Sequence, residues 1–250
     1  MHTNKYKVTL SNNENYLLYD DVIVKYELLR KKDFDEEFLN ELVTYNNQLE
    51  AYYVAIKYIE KKLRTKMEIQ KYLLKTYDKS IVDKTIEKLT NDGYLNDKKY
   101  AELYINEQIN LTLNGPGKIK MNLIKLGIDK ETINFYLDKV DKQLLMERIN
   151  KYIMKKKRLN HKFSKNKLKE KLVYELNNLG YEIKDIYESL NDISIEEPVN
   201  LINKEYEKCY AKLSQKYSGY DLDSRIITKL LTKGFTYEEI KIIIAENKDK

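Results

Sequence analysis

The residues with the clearest chemistry form a run of cations past the middle of the chain. Residues 151–180 contain ten lysines and arginines against two carboxylates, whereas the whole 250-residue chain carries a formal charge of only +6. Cations at this density neutralise phosphates, so the run predicts contact with an anionic partner, above all a nucleic-acid backbone. The cations of this basic block are Lys151, Lys155, Lys156, Lys157, Arg158, Lys162, Lys165, Lys167, Lys169 and Lys171.

On a helical wheel, Lys151, Lys155, Arg158 and Lys162 fall within about 60° of one another. We expect the helix to break near Asn160, before Lys162. The opposite side of the wheel is apolar and consists of Ile149, Tyr152, Ile153 and Leu159. Few arginines accompany the lysines, which favours positioning on phosphates over reading of base sequence. A solvated face of a lysine-rich protein is the alternative interpretation.

No catalytic, metal or cofactor site is predicted, and we expect no enzyme activity. The two histidines are His2, near the terminus, and His161, in a basic turn where an exposed bystander is favoured over a phosphate contact. Cys209 lies in a helical pattern without a neighbouring histidine, which indicates a structural thiol. Gly115-Pro-Gly-Lys118 suggests a phosphate-binding loop, but it lacks the strand that precedes such a loop. It is therefore interpreted as a turn between helices, with Pro116 near the first helical position.

Composition excludes several classes of protein. Seven glycines and two prolines in 250 residues are too few for collagen-like or turn-rich all-β architectures. No apolar run approaches 18 residues, so no membrane association is predicted. A single cysteine and a start without an apolar signal core favour a cytoplasmic protein, which we expect to be a monomer.

The first 20 residues differ from the rest of the chain. Tyr6, Val8 and Leu10 alternate with polar residues, which predicts a strand, and residues 16–19 can pair back as a second strand. Asp20 or Asp21 is then expected to cap a short helix through Leu29.

An internal repeat of about 50 residues organises the remainder. Its anchors are spaced 51, 53 and 54 residues apart: Thr76, Gly127, Gly180 and Gly234. An apolar or aromatic residue follows each anchor, and further apolar residues come six and ten positions later, on one helical face. The residues at the sixth position are Val82, Ile133, Ile186 and Ile240.

Each repeat is predicted to hold three short helices. Glycine can take the left-handed conformation that closes a helix, and the next apolar residue can fold back onto it. Thr65 with Glu68, and Thr236 with Glu239, fit capping boxes at helix starts. Most of the 23 tyrosines fall on apolar helical positions, so packing is favoured over stacking on bases.

The predicted fold is mainly α, with tandem three-helix (helix-turn-helix-like) repeats in an elongated curved array and a small N-terminal β-hairpin. We expect five segments. They are residues 1–50 (hairpin plus helices), 51–98 (repeat 1), 99–143 (repeat 2), 144–197 (the basic repeat 3) and 198–250 (repeat 4).

Three stretches of the chain, at 55–73, 88–105 and 115–128, resemble the signatures of the RecX family of regulatory proteins. The residues that carry the resemblance are Lys62, Arg64, Gly93, Asp97, Tyr100, Ala101, Gly115, Pro116, Ile119 and Gly127. Lys62 stands where the family has arginine, and Thr65 where it has serine. Asn122 and Leu126 replace residues that are commonly glutamate and lysine in the family.

The resemblance implies a modulator of the RecA recombinase that has no enzyme activity. Family members are built from tandem three-helix repeats, bind the groove of the RecA–single-stranded-DNA filament, and inhibit or disassemble it. The implied partners are therefore the RecA filament and single-stranded DNA, with duplex DNA as a further candidate. The implied roles lie in recombination, DNA repair and the SOS response.

Two other functions fit the sequence. One is a helix-turn-helix regulator that acts directly on duplex DNA, and the other is a helical scaffold that binds no nucleic acid. The glycines and Pro116 of the family signatures are expected to shape turns and caps. Lys62 and Arg64 are the charged signature residues that could contact a partner.

Overall fold

The computed structural model describes residues 4–30 and 34–248, with side chains through residue 247. These residues form thirteen helices and one two-stranded sheet, which confirms the mainly α class with a small N-terminal hairpin. The chain divides into two compact units: residues 1–104 with 122–134, and residues 105–121 with 135–250. No helix in the described ranges combines the length and the apolar character needed to cross a bilayer. His2 lies outside the described residues.

The N-terminal hairpin pairs β1 (Lys5–Thr9) with β2 (Asn15–Tyr19) in antiparallel register. It rests on α2 (Glu36–Ile59) through a buried core that includes Leu18 and Leu49. Asn46, which is buried on α2, fixes the hairpin because its Oδ1 accepts from the N–H of Tyr19 at 3.1 Å. A buried polar side chain needs such a partner, and this bond ties sheet to helix.

The short helix after the hairpin differs from the prediction. α1 (Asp20–Lys25) ends four residues before Leu29, and its N-cap residue is Tyr19, without a side-chain cap. Glu27 has a positive φ of 49°, and the N–H of Leu28 donates to the carbonyl of Ile23, which closes the helix. Leu28 then packs on the hairpin core, so burial ends the helix early.

Four helix groups of three helices each follow. The first group contains α2, α3 (Lys66–Leu73) and α4 (Lys79–Asn91). The second contains α5 (Asp97–Leu111), α6 (Pro116–Lys125) and α7 (Lys130–Leu137). The third contains α8 (Lys142–Arg158), α9 (Lys165–Asn178) and α10 (Ile183–Asp192). The fourth contains α11 (Leu201–Leu213), α12 (Gly219–Thr232) and α13 (Tyr237–Lys248). The expected segment boundary between residues 50 and 51 falls inside α2.

Three of the four repeat anchors close helices as predicted. Gly127, Gly180 and Gly234 have φ values of 84°, 87° and 86°. In each case the N–H of the following residue donates to the carbonyl five positions before it, the bond that satisfies the last turn of a helix. The first anchor, Thr76, has no positive φ, and its helix ends without this left-handed turn.

The apolar pattern of the repeat is also confirmed. Each residue at the sixth position after an anchor is fully buried: Val82, Ile133, Ile186 and Ile240. The first, third and fourth groups each have an apolar core of their own. Cys209 is buried in the fourth core, as a structural thiol would be.

We expect Gly180→Ala to destabilise the protein more than Gly93→Ala. Both positions have a left-handed φ, which costs a non-glycine residue about 1–2 kcal/mol. A Cβ at residue 93 would meet nothing within 4 Å, whereas at residue 180 it would overlap the backbone nitrogen of Lys118. The overlap should add about 1–3 kcal/mol to the loss at residue 180, measured by urea unfolding. Equal losses would contradict the close approach at residue 180.

Candidate nucleic-acid interface

The basic block is carried by α8, α9 and the turn between them, all within one unit. Ile149 and Ile153 anchor α8 in the core of the third group, and Leu168, Leu172 and Leu176 anchor α9. The cations therefore occupy the remaining faces of two helices whose inner faces are fixed by burial. In the turn, Asn160 Oδ1 accepts from the N–H of Phe163 at 3.0 Å, which organises the chain between the helices.

One part of the block is free of ion pairs. Lys151, Lys155 and Arg158 are exposed along one face of α8, and Lys157 is half-buried beside them. With the exposed Met154, these four residues line one open concave surface. Among the described residues, none of the four has an ion-pair partner, and the same holds for Lys162 in the turn and Lys169 on α9.

The other cations of the block are paired with carboxylates. Lys156 Nζ lies 2.9 Å from Glu175, and Lys171 Nζ lies 4.0 Å from the same residue. Lys167 Nζ lies 2.7 Å from Glu170 on its own helix. Lys165 Nζ lies 3.8 Å from Glu239. The block is thus divided into a free part of six cations, mostly on α8, and a paired part of four cations, mostly on α9.

Glu175 joins the two helices. It accepts a hydrogen bond from Tyr152 at 2.8 Å in addition to the contact from Lys156. Burial raises the pKa of Glu175, but the hydrogen bonds from Lys156 and Tyr152 outweigh burial and hold that pKa below its usual value. The same pairing raises the pKa of Lys156, because the charged ammonium gains a partner. Lys156 is therefore committed to the seam between α8 and α9.

Leu159 and His161 were expected to be buried and exposed, respectively, and both are exposed. Leu159, which was expected on the buried side of α8, is 61% exposed, because the helix ends at Arg158 and Leu159 is its C-cap residue. His161 is exposed, and the described residues give its side chain no hydrogen bond or ion pair. Within the same residues, no three acidic, histidine or cysteine side chains come together as a metal site.

Four of the family-like signature residues lie at joints between helix groups: Asp97, Gly115, Pro116 and Gly127. In the first joint, Thr65 is the N-cap of α3, and its Oγ1 donates to the carbonyl of Leu126, at the end of α6, at 2.8 Å. A Cβ at Gly127 would lie only 2.6 Å from Met67, so glycine is required for this approach. The capping box predicted for Thr65 and Glu68 is present.

A second joint of the same kind uses Gly115 and Gly117. Their N–H groups donate to the carbonyls of Leu179 and Gly180, at 2.6 and 2.9 Å. A Cβ at Gly115 would lie 2.8 Å from the backbone of Gly180, so the backbones meet directly. Arg148 supports this joint, because its guanidinium donates to the Tyr181 hydroxyl at 3.0 Å and to the carbonyls of residues 112 and 114 at 2.8 and 3.1 Å.

The third joint has the start of α9 against the end of α12. Ser164, the N-cap of α9, donates to the carbonyl of Lys233 at 2.7 Å. Asn166 Nδ2 donates to the carbonyl of Gly234 at 3.0 Å. Phe235, which follows Gly234, is buried at 4% exposure. Sequence reasoning missed Arg148 and Asn166, because a single polar side chain on a helix gives no periodic signal.

At two joints, a carboxylate accepts a hydrogen bond from the first N–H of the middle helix of a helix group, which is α3 or α9. Asp97 accepts from the N–H of Lys66 at 2.9 Å, and Glu197 accepts from the N–H of Lys165 at 2.9 Å. Burial raises the pKa of both carboxyls above their ordinary values. At α6 the corresponding position is Pro116, which has no N–H to cap.

The remaining signature residues divide between packing and surface. Tyr100, Ala101 and Ile119 are buried, and Gly93 has a φ of 80° in a turn. Arg64 is half-buried, 3.0 Å from Glu68 and 4.2 Å from the centre of the Tyr58 ring. Lys62 is exposed and, among the described residues, has no ion-pair partner.

Comparisons with known proteins point to one family. Residues 96–137 match the family model described as RecX, second three-helix domain. A protein named regulatory protein RecX from Streptococcus agalactiae serotype III (strain NEM316) is 32% identical over 96% of this chain and 95% of its own length. A protein of the same name from Listeria innocua serovar 6a is 27% identical over 97% of this chain and 92% of its own length.

Solved structures agree on the fold. A crystal structure of regulatory protein RecX matches 76% of this chain and 95% of its own chain with a TM-score of 0.69 at 24% identity. A crystal structure of RecX from Lactobacillus salivarius matches 59% of this chain and 97% of its own, with a TM-score of 0.56 at 27% identity.

We expect Asp97→Asn to gain stability relative to the unchanged protein as pH rises from about 4 to 7. Because the pKa of Asp97 is raised in the folded state, the folded protein binds its proton more tightly than the unfolded chain. The contribution of this group to the free energy of unfolding therefore falls as pH rises through the folded pKa. Asparagine keeps the acceptor for Lys66 and does not titrate.

Urea unfolding at several pH values measures this difference, with Asp97→Ala as the control. Alanine leaves the N–H of Lys66 without its acceptor, so that variant should lose stability at every pH. Parallel pH curves for the unchanged protein and Asp97→Asn would contradict the raised pKa.

Proposed function

Because the chain belongs to the RecX family of regulatory proteins, we propose that it binds the filament of RecA on single-stranded DNA and inhibits or disassembles that filament. The observation that carries this proposal is 32% identity to a regulatory protein RecX along 96% of the chain. The regulator would thereby modulate recombination, DNA repair and the SOS response, and would act in the cytoplasm as a monomer.

The proposed activity requires binding energy but no chemistry of its own. A ligand shifts a two-state equilibrium only by binding one state more tightly than the other. A regulator that prefers free DNA, or a distorted filament, therefore drives disassembly without breaking a covalent bond. No catalytic step, metal or cofactor is needed for this mode of action.

We propose that the basic block supplies the nucleic-acid contact. The free cations on α8 support this assignment, since no carboxylate of the described residues is paired with Lys151, Lys155 or Arg158 and would have to be displaced by a phosphate. Two of them, Lys155 and Arg158, lie in the last turn of α8, where the helix dipole stabilises a positively charged side chain. The paired cations support contact less strongly, because each already has a counter-charge within the protein.

We expect the protein to inhibit the ATPase activity of RecA on single-stranded DNA. The assay titrates the protein into preformed filaments, and a parallel titration adds it before RecA, which separates filament disassembly from blocked assembly. Inhibition that rises with protein concentration in either order of addition supports the proposal. An absence of inhibition at every ratio of this protein to RecA would contradict it. A discrete footprint on duplex DNA, with RecA unaffected, would instead favour a helix-turn-helix regulator of duplex DNA.

We expect the triple variant Lys151→Ala, Lys155→Ala, Arg158→Ala to bind the RecA–DNA filament more weakly and with a flatter salt dependence. Each lost phosphate contact on a single strand should reduce the log–log salt slope by about 0.7, hence by about 2 for three contacts. Binding is measured by fluorescence anisotropy of labelled filaments at several salt concentrations.

The matched control is Lys156→Ala, Lys167→Ala, Lys171→Ala, which removes the same charge from the paired part of the block. This control should keep the salt slope of the unchanged protein, since its lysines are neutralised by Glu170 and Glu175. Both variants are first checked for folding by circular dichroism. If the two triples flatten the slope equally, total charge rather than the free α8 face carries the contact.

A further inference from the structure

One exposed aromatic ring lies on the basic part of the molecule. Tyr174, near the middle of α9, is 69% exposed. The other aromatic side chains of residues 151–180 are engaged: the Tyr152 hydroxyl donates to Glu175, and Phe163 is half-buried with Lys171 Nζ 4.4 Å from its ring centre. Among the described residues, Tyr174 has no ring contact and no hydrogen bond. Its ring is therefore available to a partner.

Tyr174 shares a helical face with two cations. Lys167, Lys171 and Tyr174 are spaced four and three residues apart, which aligns them along α9. The two lysines keep exposed side chains, and their pairs with Glu170 and Glu175 are surface ion pairs that contribute little energy. Both lysines nevertheless remain paired within the protein, so this face supplies the ring and the free cations of α8 supply the phosphate contacts.

This face adjoins the free cations of α8. Glu175 lies next to Tyr174 in the chain and is bonded to Tyr152 and Lys156 of α8. The exposed cation nearest to this seam is Lys155 on α8, whose exposed residues also include Lys151 and Arg158. On α9 it is Lys171, whose exposed residues also include Lys167 and Tyr174. Both sets of residues consequently lie on the outer surface of the α8–α9 pair, on either side of one seam.

A cationic surface with an accessible aromatic ring has a specific use in nucleic-acid binding. Lysines and arginines hold the phosphates, while an aromatic side chain stacks on a base in a manner that tolerates any base sequence. Only an unpaired base can offer its face, because bases in a duplex are stacked on each other. Such a surface therefore distinguishes single strands from duplexes, which lysines alone cannot do.

We propose that the outer surface of the α8–α9 pair binds single-stranded DNA directly, with Tyr174 stacked on an unpaired base and the exposed α8 cations on the flanking phosphates. The inference rests on the proposed role of the basic block in nucleic-acid contact. It adds the residue that selects single strands, and it is tested without RecA, so that its failure and that of the proposed function can be told apart.

The experiment measures the affinity of the purified full chain for a labelled single-stranded oligonucleotide and for its duplex, by fluorescence anisotropy. Tyr174→Ala should weaken single-strand binding roughly 5- to 150-fold, the usual loss when one stacking ring is removed. It should leave duplex binding and the salt slope unchanged, because no phosphate contact is lost. Tyr174→Phe keeps the ring and should retain the affinity of the unchanged protein.

Tyr220→Ala is the matched control. Tyr220 is 88% exposed on α12 but stands next to Asp221 rather than among lysines, so its loss should not alter binding. An oligonucleotide with abasic sites provides a second control. The unchanged protein should bind the abasic strand as weakly as Tyr174→Ala binds the intact strand. Tyr174→Ala itself should bind the two strands with equal affinity.

Several results would overturn the proposal. They are single-strand affinity unaltered by Tyr174→Ala, an equal loss with Tyr220→Ala, and duplex binding that weakens as much as single-strand binding. Absence of any binding to single strands without RecA also overturns it, while inhibition of RecA ATPase would still decide the proposed function independently.

Discussion

The contact on which the rest of the architecture depends is a backbone joint between the middle helices of neighbouring groups. The start of one helix meets the end of another, so N–H or hydroxyl donors reach the carbonyls beside a left-handed glycine. Unlike ends of two helix dipoles face each other, which is the favourable arrangement. Each bond contributes only about 1 kcal/mol, but a side chain at the glycine would separate the backbones. Close approach therefore matters more than the strength of any one bond.

The joints determine how the basic surface is held. α9 is bonded at both ends, through Ser164 to the carbonyl of Lys233 and through the carbonyls of Leu179 and Gly180 to α6. Its leucines fix its rotation, and Glu175 fixes α8 beside it. The cations and Tyr174 thus project from a support with little freedom. A rigid support reduces the entropy that binding a strand would cost.

Sequence predicted the N-terminal hairpin and the elements that repeat, and it missed contacts that depend on the tertiary structure. The glycine anchors, the buried sixth positions and both capping boxes follow from spacing, because periodic burial leaves a periodic record. The early end of α1 depends on burial of Leu28, which no local pattern indicates. Likewise, the basic block was found from its charge, but its division into free and paired cations depends on where Glu175 lies in space.

The carboxylate caps have a consequence for modularity. Asp97 belongs to the second helix group but satisfies a backbone donor of the first, and Glu197 precedes the fourth group but serves the third. Suppose that a helix group were exchanged between relatives by a cut directly after its third helix. The first N–H of its middle helix would then lose its carboxylate acceptor. The unit that can be exchanged intact is therefore a group together with the carboxylate that follows its third helix, Asp97 or Glu197. Pro116 makes the second group the exception, since its middle helix has no N–H at its first position and needs no carboxylate there from its successor.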